Sequence, residues 1–396
     1  MKTHCLNLLK LTAAGLLAVL APEFSRAQNE IQIQSTINVP GLTRPIPVSL
    51  QGFSGEVAEA LKFDLYVQGF AFVAPGAAQY QISGSDAGSV QGSVVDVVAH
   101  KTILSRRYTG ADLRRQAHAF SDDIVFAITG KKGIAQTKIA FKVEHGGGGG
   151  EIYVADYDGY NAEAVTHDGA IVAAPAWVPG RLAVYYTSYK LGNPDIFFQD
   201  LSTGQRRVFA AFAGLNTSAA VSPDGSRVAM ILSKSGSPDV WECSAGGSDW
   251  MDLTKTREDE SSPCWSPDGR WICYATKIRE RRLLAKVPAG GGPRQVIRTI
   301  GAANPSEPDW SPDGKWIAFT SQMGEFDICV VPASGGNATI LVRGQDPSWS
   351  PNSRTLVFTR RTGSYRYVVS VLDVFTKQVK DIRQIPGNDS EPDWAK

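Results

Sequence analysis

The segment Glu307–Ser321, EPDWSPDGKWIAFTS, decides how the rest of the chain is interpreted. Its centre, Ser311–Gly314 (SPDG), is typical of a tight turn. Proline presets φ at about −65°, aspartate bonds back to the nearby backbone, and glycine adopts a positive φ without strain. Residues Lys315–Thr320 then continue as an alternating strand. The segment therefore predicts a β-hairpin.

This hairpin recurs along the chain with a nearly constant period. A further strand, which begins with aspartate, follows the hairpin at a nearly constant distance. A fourth strand is predicted before the next unit begins. Four short strands in about 40–45 residues are typical of one blade of a β-propeller. The positions aligned with Trp310 follow one another at steps of 39 to 45 residues, and they are Trp177, Val221, Trp265, Trp310, Trp349 and Trp394.

The two ends of the repeat predict how the ring closes. Trp394 is followed by only two residues, so the last unit has a first strand and nothing after it. Three strands of matching type stand before the first repeat, at Lys138–Val143, Glu151–Asp156 and Ala162–Thr166. We therefore predict a mainly β fold, a six-bladed β-propeller over residues 136–396. The C-terminal strand would complete the first blade and remove its free edge.

The first third of the chain lacks the blade period. Residues 1–27 are predicted to be a secretory signal peptide, because lysines precede the apolar stretch Leu11–Ala21 and small residues precede a cleavage point near Ala27. An uncleaved anchor is the alternative. In residues 28–135, Gly55–Tyr66 and Ala111–Thr129 carry the apolar stripe of helices. Between them, short strands are predicted at Phe70–Val73, Tyr80–Ser83 and Ser93–Ala99. This alternation predicts a small α/β domain.

Composition and motifs give little support to catalysis. Lys and Arg total 40 against 39 Asp and Glu, which does not favour a nucleic-acid partner. No G-x-S-x-G, HExxH or CxxC motif occurs, so no catalytic residue, cofactor or metal is predicted and the protein is expected not to be an enzyme. His118 and Asp122 stand four residues apart on a predicted helix, where they can share a hydrogen bond, and a structural role is expected. The turn residues Asp224, Asp268 and Asp313 are interpreted as local caps rather than an acidic ring. The four cysteines after the signal are expected to be buried.

Three segments carry a resemblance to a known family. They are LRRQAHAFSDDIVFAITGKKG at Leu113–Gly133, ADYDGYN at Ala155–Asn161, and the SPDG repeat itself. The chain resembles the TolB family, the periplasmic component of the Tol-Pal system. The resemblance implies a periplasmic, non-enzymatic adaptor that supports outer-membrane integrity, cell division and protein transport. The chain departs from the family where Val221 replaces an aromatic residue and where the turn after Trp177 is shortened.

The resemblance also implies two partner sites. By propeller geometry, the loops that lead into the innermost strands meet at one mouth of the channel, and in the family this mouth holds the lipoprotein Pal. The family usually has His, Ala and Thr where this chain has Leu215, Ser218 and Ser261, so specificity is expected to differ. The predicted mouth residues are Leu215, Asn216, Ser218, Glu260, Ser261, Ser262, Asn304, Ser306, Glu307, Gln345, Asp346, Asp389, Ser390 and Glu391.

The second implied site is the start of the mature chain. In the family this extended segment recruits TolA, and strand addition is the way such a peptide binds. Its residues here are Asn29, Glu30, Ile31, Gln32 and Ile33. We expect a monomer that neither spans a membrane nor binds nucleic acid. Other outer-membrane proteins are further candidate partners. Two alternatives stay open: an orphan periplasmic propeller that binds a glycan or peptide, and a hydrolase whose site the motifs do not reveal.

Overall fold

The computed structural model describes residues 39–110, 112–145, 148–385 and 387–396. The predicted signal peptide and the predicted TolA segment lie outside these residues. The α/β domain and the ring belong to one compact unit.

The α/β domain is a five-stranded sheet with two helices that share its apolar core. The sheet order is β2-β1-β3-β4-β5, with β1 parallel to both of its neighbours. Two of its strands, the first and the fifth, have no counterpart in the sequence prediction. The elements are β1 (Ile46–Gln51), α1 (Gly55–Tyr66), β2 (Phe70–Phe72), a 3-10 turn (Pro75–Ala77), β3 (Tyr80–Ser85), β4 (Val90–Asp96), β5 (Lys101–Tyr108) and α2 (Leu113–Thr129).

Local chemistry sets the ends of α2. The Asp112 side chain accepts a hydrogen bond from the Arg115 backbone N–H at 2.8 Å, which satisfies one of the free donors of the first turn. Gly130 ends the helix with φ +69°, a left-handed conformation that glycine adopts without a Cβ clash. The helix therefore starts two residues later than predicted and ends where predicted.

Six four-stranded sheets form the ring, so the predicted six-bladed propeller preceded by a small α/β domain is confirmed. Blade 1 contains β6 (Lys138–Glu144), β7 (Gly150–Asp156) and β8 (Glu163–Ala164), and blade 2 contains β9 (Val172–Trp177), β10 (Ala183–Ser188), β11 (Asp195–Asp200) and β12 (Arg206–Ala210). Blade 3 contains β13 (Asn216–Val221), β14 (Arg227–Leu232), β15 (Asp239–Ser244) and β16 (Met251–Asp252), and blade 4 contains β17 (Glu260–Trp265), β18 (Trp271–Ile278), β19 (Arg281–Pro288) and β20 (Gln295–Ile297).

The last two blades follow the same order. A two-stranded parallel bridge joins β21 (Thr299–Ile300) to β25 (Gly336–Asn337). Blade 5 contains β22 (Ser306–Trp310), β23 (Trp316–Gln322), β24 (Phe326–Pro332) and β26 (Thr339–Arg343), and blade 6 contains β27 (Gln345–Trp349), β28 (Thr355–Arg361), β29 (Tyr367–Asp373) and β30 (Val379–Asp381). The final strand, β31 (Asn388–Trp394), belongs to blade 1.

Strand β31 is the innermost strand of blade 1 and pairs antiparallel with β6. Its Trp394 side chain is buried, and its ring lies 5.9 Å from the ring of Tyr157. The Trp394 indole N–H donates to Thr137 Oγ1 at 2.8 Å. The end of the chain is therefore held in the blade by both backbone pairing and side-chain packing.

The repeated SPDG turns hold their aspartates in the predicted role. Asp313 Oδ1 accepts the backbone N–H of Lys315 at 3.1 Å and the hydroxyl of Ser311 at 2.7 Å. The same pair of bonds recurs at Asp224 and Asp268. These carboxylates are turn caps, as the sequence indicated.

Candidate functional site

Each innermost strand of the ring carries a bulge at the same place. One residue there adopts a left-handed conformation, with φ between 49° and 55°, and the pairing with the second strand shifts register. Such bulges re-aim a side chain and leave a backbone N–H free for other bonds. All six residues line the central channel, which has a volume of about 1000 Å³. They are Ala174, Ser218, Ser262, Glu307, Asp346 and Glu391.

The six bulge residues divide the channel wall into two halves. Blades 2, 3 and 4 contribute Ala or Ser, whereas blades 5, 6 and 1 contribute Glu307, Asp346 and Glu391, which we call the acidic arc. Small side chains leave free space, and carboxylates bring negative charge. The channel is therefore acidic on one side and open on the other.

The acidic arc is a connected hydrogen-bond chain between neighbouring blades. Glu307 accepts from the Thr320 hydroxyl at 2.5 Å and from the Asp346 backbone N–H at 3.2 Å. Asp346 in turn accepts from the Thr359 hydroxyl at 2.9 Å. Burial, together with the nearby carboxylates of Glu307 and Glu391, raises the pKa of Asp346 well above its usual range. A protonated Asp346 lowers the repulsion within the arc.

Lys142 compensates the last carboxylate of the acidic arc. Its ammonium lies 2.9 Å from Glu391 Oε1 and 3.0 Å from Glu144 Oε1. Burial opposes the charged form of Lys142, but Glu391 outweighs it and the pKa of the lysine is raised. The other oxygen of Glu391 accepts the Ala174 backbone N–H at 2.7 Å and so ties blade 1 to blade 2.

A second set of carboxylates lies two residues after the bulges and links the blades. Asp309 accepts the backbone N–H of Trp349 at 2.7 Å, and Asp393 accepts that of Trp177 at 2.8 Å. The ammonium of Lys396 lies 2.6 and 2.8 Å from the two oxygens of Asp309. The equivalent residues of blades 2, 3 and 4 are Ala, Ala and Cys, which carry no carboxylate. The carboxylates at this position, Asp309 and Asp393, therefore lie in the same half of the ring as the acidic arc, whereas blades 3 and 4 are linked by other side chains such as Arg227 and Trp265.

The structure separates the predicted mouth residues into three groups. Those that line the channel are Ser218, Ser262, Glu307, Gln345, Asp346, Ser390 and Glu391. Those that are buried and support the loops are Asn216, Glu260, Ser306 and Asp389. Of the remainder, Leu215 and Ser261 are half-buried and Asn304 is exposed.

The buried group corrects the sequence-based list, because all four side chains are buried and those of Asn216 and Glu260 are hydrogen-bonded inside the protein. The Asn216 amide donates to the carbonyls of Phe212 at 2.8 Å and Pro194 at 3.1 Å. Glu260 accepts from the hydroxyls of Thr254 and Thr256 at 2.7 and 2.8 Å, and burial raises its pKa to about 7. Such residues shape the mouth without presenting their polar atoms to a partner.

The bulges themselves were missed by sequence reasoning, although a signal for them exists. In five of the six units the residue after the bulge is proline, two positions before the aligned residue. A proline beside an innermost strand favours a break in the hydrogen-bond ladder. This signal predicts the place of each bulge but not which way its side chain faces.

A second cluster of ionisable groups lies where the α/β domain contacts blade 1, and we call it the interdomain cluster. Asp64 from α1, His118 and Arg114 from α2, and Tyr157 and Asp158 from the turn after β7 form it, and all five are buried. His118 Nδ1 lies 2.8 Å from Asp64, and its Nε2 lies 3.2 Å from Asp158. Arg114 pairs with Asp158, and the Tyr157 hydroxyl donates to Asp64 at 2.5 Å.

The interdomain cluster replaces the hydrogen bond expected between His118 and Asp122. The Asp122 carboxylate instead accepts from the Ala135 backbone N–H and the Gln136 amide. The prediction was wrong because helical spacing indicates only which residues of one helix are neighbours. The carboxylates that bind His118 come from another helix and from blade 1.

Three residues of the interdomain cluster could also be considered metal ligands. Asp64, His118 and Asp158 each offer one ligand atom, and these atoms lie within 4.8 Å of one another. Burial opposes the charged imidazole, but Asp64 and Asp158 outweigh it and raise the pKa of His118 to about 10. The imidazolium therefore supplies positive charge between the carboxylates, beside the guanidinium of Arg114.

Fold and site together define the class of protein. It is an α/β domain joined to a closed six-bladed propeller, with a channel that is acidic on one side and a preformed mouth made by six loops. Within the described residues, neither helix is long and apolar enough to cross a membrane.

Comparison with known proteins gives the family. The model of the TolB beta propeller domain matches residues 126–396, and the chain belongs to this family. It is 30% identical over 266 residues to the Tol-Pal system protein TolB of Anaeromyxobacter dehalogenans, an alignment that covers 56% of this chain and 60% of that relative. The chain thus spans about three fifths of the length of this curated relative.

Solved structures support the fold. The crystal structure of TolB from Acinetobacter baumannii superposes with a TM-score of 0.81 at 22% identity, covering 90% of this chain and 98% of that one. One chain of the crystal structure of the nidogen/laminin complex superposes with a TM-score of 0.54 at 12% identity, covering 66% of this chain and 98% of that one. At these identities the likeness is one of architecture.

Proposed function

We propose that this protein is a periplasmic, non-enzymatic adaptor of the Tol-Pal envelope system. It binds Pal at the mouth of the propeller and TolA through its N-terminal segment. The observation that carries this proposal is the match of the TolB beta propeller domain to residues 126–396. The similarity to Tol-Pal system TolB proteins supports the same function.

The mouth is the surface that suits a protein partner. Its loops lead into the innermost strands and are fixed from inside by buried side chains such as Asn216 and Glu260. Because these loops are held in place, a partner would not need to order them on binding, which lowers the entropic cost. Asn304 and Ser261 present polar side chains at this end of the ring.

Capture of Pal tests the mouth. Purified mature protein is measured against immobilised Pal of the same organism, as wild type and as Asn304→Arg and Ser261→Arg. We expect both substitutions to weaken binding about tenfold or more, because each adds a long charged side chain to the contact surface. Ser226→Arg, which adds the same charge to a turn at the opposite end of the innermost strands, should leave binding unchanged.

The result can contradict this proposal in two separate ways. If wild-type protein does not capture Pal, the proposed partner is wrong. If Ser226→Arg weakens capture and the two mouth variants do not, the partner stands and the assigned face is wrong.

The N-terminal site is tested by deletion. Removing residues 28–33 should abolish capture of TolA and preserve capture of Pal, because the two sites are distinct. Retained TolA binding would contradict the role of this segment. The non-enzymatic assignment predicts no labelling by a serine-reactive fluorophosphonate, and labelling that is lost on heat denaturation would overturn it.

A further inference from the structure

Three aromatic side chains of blade 3 and its entry loop surround one lysine ammonium. The Nζ atom of Lys234 lies 3.9 Å from the ring centre of Phe212, 4.0 Å from that of Trp241 and 5.4 Å from that of Trp250. Aromatic rings attract a cation through the negative face of their π system, and several rings around one ammonium are the arrangement that recognises organic cations. We call these three rings the aromatic cage.

The cage is held together without help from Lys234. The rings of Phe212 and Trp250 pack edge to face with centres 4.9 Å apart. The Trp250 indole N–H donates to the Gly247 carbonyl at 2.9 Å, and the Phe212 backbone N–H donates to Asn216 Oδ1 at 2.9 Å. Trp241 lies within β15, which pairs on both sides. Removing the lysine side chain should therefore leave the rings in place.

Lys234 itself is held only by the rings. Among the described residues it makes no hydrogen bond and no ion pair, so no carboxylate competes for its ammonium. It lies in the turn between β14 and β15, where Ser235 and Gly236 are exposed and Gly236 has φ +115°. The backbone of the turn is held by hydrogen bonds from Ser235 Oγ to Asp239 at 2.8 Å and from the Gly236 N–H to the Ser233 carbonyl at 3.0 Å, so only the lysine side chain has to turn away to leave the cage. Lys234 therefore behaves as a displaceable occupant of the cage.

One polar atom of the cage is available to a ligand. The indole N–H of Trp241 is buried and has no hydrogen-bond partner among the described residues. A buried donor without an acceptor is unfavourable in a folded protein, and such atoms occur where a ligand or water completes the bond. A ligand that carries an ammonium with an oxygen acceptor beside it would satisfy both the rings and this donor.

The cage lies at the same end of the ring as the mouth. The turn that carries Lys234 is hydrogen-bonded to the loop that leads into β13. The Leu215 backbone N–H donates to Ser233 Oγ at 2.7 Å, and the Ser233 backbone N–H donates to the Leu215 carbonyl at 3.0 Å. A ligand in the cage would therefore lie beside the loop that forms this part of the rim.

We propose that Phe212, Trp241 and Trp250 form a binding site for an organic ammonium group, and that Lys234 occupies this site from within and limits access to it. The site goes beyond the proposed adaptor function and does not depend on it. Its ligand class is a primary or quaternary ammonium compound, bound by cation–π attraction.

The test uses the full mature chain labelled with 5-fluorotryptophan and observed by ¹⁹F NMR. The probe is tetramethylammonium chloride, titrated at constant ionic strength, with tert-butanol as an uncharged molecule of similar shape. In Lys234→Ala, tetramethylammonium should shift the Trp241 and Trp250 resonances saturably in the millimolar range, and tert-butanol should not. Wild type should need about tenfold more probe, because it must displace its own lysine.

Matched variants make the outcome decisive. Adding Trp250→Leu to Lys234→Ala should remove the saturable shift, while Lys234→Gln should behave as Lys234→Ala does. Lys286→Ala serves as a control, since that ammonium faces only two rings, at 4.8 and 5.7 Å, and should leave no site. The proposal is overturned if folded Lys234→Ala and Lys234→Gln both show no saturable response. It is equally overturned if tert-butanol or Lys286→Ala gives the same response.

Discussion

Replacing His118 with glutamine should weaken the protein in a pH-dependent way. Glutamine can donate a hydrogen bond to one carboxylate but carries no charge, so Asp64 and Asp158 would share a buried site without an imidazolium between them. Breaking a buried ion pair by removing one partner costs about 3–5 kcal/mol. We expect a loss of this size near pH 6.

The pH dependence follows from the pKa of His118, which is about 10 in the folded protein against the ordinary histidine value of 6.5. At about 1.4 kcal/mol for each pH unit between those values, the imidazolium contributes up to roughly 5 kcal/mol. Because the folded pKa is raised, this stabilisation is complete below pH 6.5 and is lost as the pH rises toward 10. The difference in unfolding free energy between wild type and His118→Gln should therefore shrink by about 1.4 kcal/mol per pH unit between pH 7 and 9.5.

Urea unfolding of both proteins at pH 6, 7, 8 and 9.5 measures this difference directly. Subtracting the two curves removes the titration of groups that both proteins share. His145→Gln is the control, because His145 is exposed and the same substitution there should change stability by less than about 0.5 kcal/mol. A difference between wild type and His118→Gln that stays constant from pH 6 to 9.5 would refute the charged-imidazole account.

Three further predictions concern the ring and the domain contact. Trp394→Ala should cost about 3–5 kcal/mol in urea unfolding, because it empties a buried site in the strand that closes the ring; a loss below about 1 kcal/mol would contradict this. Gly69→Ala should lower the melting temperature, since its φ is +88° and a Cβ would overlap the Arg354 guanidinium, which is held by Asp373. Gly76→Ala meets open space and is the control; equal effects would refute this reasoning. Asp346→Asn should raise the melting temperature at pH 8 but not at pH 4. A carboxyl whose pKa is raised by folding destabilises the folded state only at pH values where the unfolded chain ionises that carboxyl. A gain of equal size at both pH values would contradict this.

Much of the architecture could be predicted from the sequence because it depends on local chemistry. The SPDG turns need proline, aspartate and glycine in fixed order, and their period alone indicates six blades. Helix α1 has the bounds predicted from the spacing of its apolar residues Val57, Leu61 and Leu65. Strand β1 was missed because it is defined by its pairing with β2 and β3, which lie more than 20 residues away in sequence. Strand β5 was missed because its sequence, KTILSRRY, does not alternate between apolar and polar residues.

The candidate site was only partly predictable. The loops that make the mouth follow from the repeat, since each must precede an innermost strand. Which side chains point into the channel does not, because a left-handed bulge turns Glu307 and its five equivalents inward. Burial of Asn216 and Glu260 depends on neighbouring loops that pack over them, so polar composition alone wrongly suggested a free surface for them.

The sequence by itself determined the number of blades and the chemistry of their turns, because residues within a few positions of one another settle both. Only the tertiary structure decided the electrostatics. Asp64, His118 and Asp158 are 40 or more residues apart in sequence yet within hydrogen-bonding distance in space. The protonation of His118 and Asp346 is set by carboxylates that the fold brings close in a buried, weakly screened environment, and such distances are a property of the assembled ring and domain rather than of any segment.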